Sequence, residues 1–228
     1  MVFVLTNDDG IDAPGLRSLV QSVKNLNLDA VIAAPQEHLS GCGHQVTTTS
    51  PIRVHKRSER EYAIAGTPAD CVRIAISHLC PTVHWVLSGI NSGGNLGADV
   101  YISGTVAAVR EAALHRISGI AFSQYRHGRR EIDWDFASYL VTNVLTNLLA
   151  RPTQPGVFWN VNLPHLATGA SDPKLVFCTP CTQPLPAVYR VNEDQFHYAG
   201  EYSQRRRDPG GDVEVCFNGH IAITQLQV

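Results

Sequence analysis

The stretch Met1-Val2-Phe3-Val4-Leu5-Thr6-Asn7-Asp8-Asp9-Gly10 joins a short, unbroken apolar run to two adjacent carboxylates. Val2–Thr6 consists of β-formers without polar alternation, the pattern of a strand covered on both faces. A loop with Gly10 and Pro14 follows, and then Leu16, Leu19, Val20, Val23 and Leu26 recur at the i, i+3, i+4 spacing of an amphipathic helix. A buried strand leading straight into such a helix begins a βαβ unit, and the rest of the chain can be read for its repetition.

The alternation continues. Ala30–Ala34 is a second apolar run, closed by Pro35 and followed by a polar loop through Gly41, Gly43 and Ser50. Tyr62–Ala65 reads as a short strand, and Thr67-Pro68-Ala69-Asp70 supplies a capping threonine, a proline at the first helical position and an acid three residues after the cap. That helix extends through Val72, Ala75, Ile76 and Leu79. Val83–Leu87 is the next strand, Gly89 to Gly97 a glycine-rich loop, Gly104–His115 a helix and Ile117–Ser123 a strand. Phe136, Leu140, Val141, Val144, Leu145 and Leu148 mark a long helix. The expected fold class is α/β, a mainly parallel sheet flanked by crossover helices, over residues 1–150. Beyond Pro152 helical periodicity fades. Val157–Leu163, Leu175–Cys178, Tyr198–Tyr202 and His220–Leu226 read as strands of a β-rich extension, 151–228, packed on the core.

Composition narrows the function. Charged residues make up 17% of 228, the formal charge is −2, the pI is near 6.5 and the mean hydropathy is −0.06. That balance offers no basic field for a nucleic-acid backbone or an anionic membrane and no apolar stretch long enough for a span. The first residues lack the basic segment and longer apolar core of a secretory signal, so the chain reads as cytoplasmic. Six cysteines are too sparse for a disulfide scaffold, and Cys178-Thr179-Pro180-Cys181, followed by Gln183-Pro184-Leu185-Pro186, lacks the helix of a redox motif.

In open α/β sheets ligands bind beyond the carboxyl ends of the strands. Three expected strands carry polar clusters there: Asn7-Asp8-Asp9-Gly10, Ser40-Gly41-Cys42-Gly43-His44, and Ser88-Gly89-Ile90-Asn91 with Ser92-Gly93-Gly94-Asn95. Adjacent carboxylates repel one another unless a cation gathers them, the alternative being ordinary loop hydrogen bonds. Oxygen donors favour Mg²⁺ or Mn²⁺, with Ser40 and Asn91 adding neutral oxygens to Asp8 and Asp9. Ser103-Gly104-Thr105 opens a helix, where N–H groups and hydroxyls suit an anion or merely cap the helix. Neither a P-loop lysine motif nor a dinucleotide fingerprint is present. Among histidines, His44 alone lies in a motif loop. Arg205-Arg206-Arg207 reads either as a solvated loop or as a segment reaching toward an anionic ligand or across a subunit boundary, and Tyr101, Tyr125 and Trp134 are candidates to stack on a planar ligand, though nothing in the sequence places them.

Asn7-Asp8-Asp9-Gly10 with Ala13-Pro14-Gly15, Ala34-Pro35 with Ser40-Gly41, Gly66-Thr67-Pro68-Ala69-Asp70-Cys71-Val72, Ser88-Gly89-Ile90-Asn91, Gly94-Asn95-Leu96-Gly97 and Ser103-Gly104-Thr105-Val106-Ala107-Ala108 together resemble the SurE (survival protein E) family. The resemblance covers roughly the first two thirds of the chain. It implies a Rossmann-like core, a metal-dependent 5′-nucleotidase acting on nucleoside 5′-monophosphates, often on 3′-monophosphates and in some members on short polyphosphate, and a homodimer or homotetramer. It also implies Asp8, Asp9, Ser40 and Asn91 as metal ligands, Asp8 and Asp9 as the catalytic pair, and Asn95, Ser103, Gly104 and Thr105 around the phosphate. Later segments depart from the family: Gly211 stands where it has a threonine, and His220 where it has a tyrosine. The alternative from another class is a non-catalytic nucleotide sensor with the same fold.

Overall fold

In the computed structural model, residues 1–128, 130–166 and 171–228 are described. Their central feature is a nine-stranded sheet whose middle is parallel. The strands are β1 (Val2–Thr6), β2 (Asp29–Pro35), β3 (Val54–Ser58), β4 (Glu61–Ile64), β5 (Trp85–Ser92), β6 (Ser118–Gln124), β7 (Val157–Leu163), β8 (Leu175–Phe177) and β11 (Ile221–Gln227). Their spatial order is β3-β4-β2-β1-β5-β6-β7-β11-β8. β4 through β7 run parallel to their neighbours, while β3 and β11 pair antiparallel with β4 and β7. The remaining strands, β9 (Tyr189–Asn192) and β10 (Gln195–Tyr198), form a separate two-stranded hairpin.

Helices cover both faces of the sheet, as its unbroken apolar strands require. α1 (Pro14–Asn25) and α4 (Trp134–Leu149) pack with Phe3, Leu5, Leu87, Ile120 and Phe122 on one side. On the other, α2 (Pro68–Ile74), continued by a π-helical turn Ala75–Leu79, and α3 (Gly104–Leu114) enclose Val4, Val86, Ala121 and Phe158. The α2 start is the capping box read from Thr67 and Asp70. A third apolar cluster, with Leu96, Tyr125 and Cys216, lies under the short α5 (Asp212–Phe217).

Three expectations need correction. Ser88-Gly89-Ile90-Asn91 is not a loop: β5 continues through it to Ser92, and the ladder with β6 resumes at Asn91 opposite Ser123 after an irregularity. Gly89 makes this possible, since its φ is +135° and a Cβ there would lie 2.3 Å from the Phe122 carbonyl oxygen. Tyr198–Tyr202 is not a strand. Tyr198 ends β10, and Tyr202–Gln204 is a 3₁₀ turn. Arg205 is neither solvated nor free to reach an anionic ligand; its guanidinium is buried and donates to Asp99 Oδ2 at 2.8 Å, tying the later chain to the Leu96–Asp99 segment.

Candidate active site

The first two strand ends meet at Asp8. It is 3% exposed, and its main-chain oxygen accepts from Leu39 N at 2.8 Å, which draws the loop after β2 over the end of β1. The same loop is held from beyond, where Gly43 N donates to Ile102 O at 3.2 Å. Ser40 and Gly41 lie in the turn between these anchors and are exposed. Asp9 faces β5, its Oδ2 accepting from Ser92 N at 3.1 Å. Asn91 therefore sits one residue from a direct contact with the acid pair, and its Nδ2 donates to Gly93 O at 2.9 Å.

α3 completes the site. A Cβ on Gly104 would stand 2.9 Å from Asp8 Cβ, 3.0 Å from Asp8 Oδ2 and 2.9 Å from Cys42 Sγ. Only a glycine lets the helix N-terminus come this close. The Thr105 hydroxyl donates to Asp8 Oδ1 at 2.5 Å, so it serves the carboxylate directly. Ser103 caps the helix, its Oγ accepting from Val106 N at 3.1 Å, which leaves the hydroxyl proton free to donate elsewhere. Asn95 is buried and pinned inward. Its N donates to Asn162 Oδ1 and its Nδ2 to Ser123 Oγ, and its main-chain oxygen accepts from Asn160 and Asn162.

The electrostatics suit a cation. Burial pushes the Asp8 carboxyl above its ordinary range, against the pull of the Thr105 hydroxyl, and the Asp9 charge pushes it further. An arriving positive charge would relieve both effects. Beside it Asn7 donates from Nδ2 to Gly10 O at 2.8 Å while its Oδ1 is buried without a partner, an oxygen of the kind that is usually satisfied by an ion or water. Among the described residues no three His, Cys, Asp or Glu side chains converge as a metal site. The donor set here is two carboxylates with neutral oxygens, which fits a hard divalent ion. Cys42 is held as a thiol, its pKa raised by burial and by Asp8.

Two side chains fall differently from their reading in the sequence. His44 turns away from the acid pair: its Nε2 lies 2.7 Å from Glu111 Oε2. The histidine nearest the pair is the exposed His38, with Nδ1 3.3 Å from Asp9 Oδ1. Glu111, the one acid on α3, was not singled out in the sequence. Burial raises the pKa of its carboxyl, but the hydrogen bond to His44 and the charge of Arg73 hold it below its ordinary range. This pair locks the loop carrying Ser40 to the helix carrying Gly104.

Comparison with known proteins identifies the family. A family model described as Survival protein SurE matches residues 3–183. A protein of Nostoc sp. (strain PCC 7120) is 61% identical over 228 residues, covering 100% of both chains. The 5′-nucleotidase SurE of Mesorhizobium japonicum is 40% identical over 241 aligned positions, covering 100% of this chain and 94% of its own. The crystal structure of the SurE protein from Aquifex aeolicus superposes with a TM-score of 0.87 at 30% identity, covering 100% of this chain and 93% of that one. With its acid pair, its Ser40 loop and the N-terminus of α3 gathered at the carboxyl ends of a parallel sheet, the chain belongs to the Survival protein SurE family.

Proposed function

We propose that this chain is a divalent-metal-dependent phosphatase that hydrolyses nucleoside 5′-monophosphates to nucleoside and inorganic phosphate, with 3′-monophosphates and short polyphosphate as further substrates. The observation that carries the reading is the contact of opposites at Gly104. There the buried Asp8 carboxylate, one of an adjacent pair suited to a cation, lies against a helix N-terminus, suited to an anion. The 5′-nucleotidase name of the relatives supplies the substrate class.

Asp8, Asp9, Ser40 and Asn91 would hold the ion, Mg²⁺ or Mn²⁺. When bound, it would supply Lewis acidity to the phosphoryl group and to a nearby water. The protein does the rest. The N–H groups at Gly104 and Thr105 and the Ser103 hydroxyl hold phosphoryl oxygens, with Asn95 bracing the adjoining loop. Asp8 or Asp9 orients the attacking water and accepts its proton. Thr105 keeps the Asp8 carboxylate in one orientation. Residues 1–150 carry this chemistry, and 151–228 serve assembly into a homodimer or homotetramer.

The test is phosphate release from a panel of 5′- and 3′-nucleoside monophosphates with Mg²⁺, Mn²⁺ or EDTA, beside Asp8→Asn and Asp9→Asn. Release should require the metal and fall at least about a hundredfold in both variants. No release from any nucleotide by folded protein that still binds them would leave a nucleotide sensor instead. Solvent oxygen-18 should appear in the phosphate and not in an Asp8 or Asp9 carboxylate.

A further inference from the structure

A cavity of about 600 Å³ opens beside the acid pair, with Asp9 and Ser92 on its near wall and Gly15, Arg126, Ile132 and Trp134 around it. This volume lies in the range of small-molecule sites and far exceeds what a phosphate needs. We propose that it receives the nucleoside of the substrate, with Trp134 as the residue that positions the base. The proposal rests on the nucleotidase reading for its choice of ligand.

Trp134 is fixed before any ligand arrives. It opens α4 behind the cap Asp133, whose Oδ1 accepts from Phe136 N at 2.9 Å. Its main-chain oxygen accepts from Ser18 Oγ of α1 at 2.7 Å. Its ring lies against Gly15, with Cη2 3.0 Å from where a Cβ would stand. The indole is thus part-buried on the core between α1 and α4 and part of the cavity wall. A rigid aromatic face of this kind binds planar rings at small entropic cost.

The other walls supply polar groups. Arg126 donates from Nε to Arg130 O at 3.0 Å, which holds its guanidinium in place and leaves further N–H groups to donate. Glu131 also lines the cavity and offers an acceptor. An apolar plane flanked by a donor and an acceptor matches a heterocycle with polar edges. The other two aromatic candidates are placed differently. Tyr125 is 6% exposed and stacks on Phe217, with ring centroids 4.4 Å apart. Tyr101 is 77% exposed, on the segment preceding α3.

The test uses two readouts on the full chain. In EDTA, free adenosine should quench tryptophan fluorescence saturably, and the quench should disappear in Trp134→Phe, which retains Trp85 and Trp159. With metal, the ratio of kcat/KM for adenosine 5′-monophosphate to that for glycerol phosphate should fall about tenfold in Trp134→Leu and recover in Trp134→Phe. If phosphate is released but the ratio does not move, the cavity assignment falls and the nucleotidase reading stands. If no nucleotide is hydrolysed yet adenosine quenches Trp134, the nucleotidase reading falls and the cavity remains a nucleoside site. Absence of any quench by adenosine overturns the proposal.

Discussion

A hydrogen in place of a methyl group at Gly104 is what lets α3 reach the acid pair. Its backbone is ordinary helix, so the glycine is required by space: a Cβ would meet Asp8 and Cys42 at 2.9 Å. Gly104→Ala should therefore separate helix from carboxylate, costing about 1–3 kcal/mol of overpacking. Phosphate release should fall at least about tenfold while circular dichroism shows a folded chain. Thr105 acts by hydrogen bonding. Thr105→Val keeps the shape but strips Asp8 Oδ1 of its donor, and a buried carboxylate left short of a partner costs about 1–3 kcal/mol, readable in the urea midpoint. Thr105→Ser should recover most of it. The positions of Asp8 and Gly104 were legible as short motifs, because each sits at a strand end or a helix start. Glu111 with His44 was not, since 67 residues separate them and local patterning carries no information about such a pairing.

At the scale of elements, patterning located those whose apolar faces are continuous. β1, β2, α1 and α4 follow from period and propensity. The end of β5 did not: Ser88-Gly89-Ile90-Asn91 has loop composition, and the ladders to β6 and, at Ser88, to β1 hold it extended. β3 escaped notice because Val54-His55-Lys56-Arg57-Ser58 is exposed throughout, and the six-residue α5 is too short for a helical period to appear. One acid attaches the later chain to the core and another braces it internally. Asp99 accepts from the buried Arg205 and from the Tyr202 hydroxyl at 2.5 Å, and Arg205→Ala, by leaving that carboxylate short of its cation, should cost about 3–5 kcal/mol by chemical denaturation. Asp208 accepts from Thr182 N, Thr182 Oγ1 and Gln183 Nε2. The Gln183 amide, with the Thr182 donors, lowers its pKa from 3.8 to about 2. A carboxyl with a depressed native pKa stabilises the fold above its unfolded value and loses that contribution as pH falls. The difference in melting temperature between wild type and Asp208→Asn should therefore be full near pH 5, shrink below about 4 and vanish toward pH 2.

For the molecule as a whole, the β9–β10 hairpin stands apart from the main sheet with Tyr189, Val191, Phe196 and Tyr198 each more than half exposed. An isolated two-stranded ribbon is marginal in water, and this much exposed aromatic surface fits an assembly contact. Phe196→Lys with Tyr198→Lys should move the species seen by sedimentation velocity to a smaller oligomer. Among the described residues no helix is long and apolar enough to cross a membrane. The sheet also has an order of completion. Among the described residues β8, at 175–177, pairs in the main sheet only through β11, at residues 221–227, which lies between it and β7. During synthesis, the parallel platform from β4 to β7, with every proposed site residue, is available while β7 still presents an open edge. β8 has no place to dock until the chain has passed residue 221. A nascent chain paused in that interval carries an assembled catalytic face beside an unpaired strand, the state most open to edge-to-edge association, and the emergence of β11 closes it.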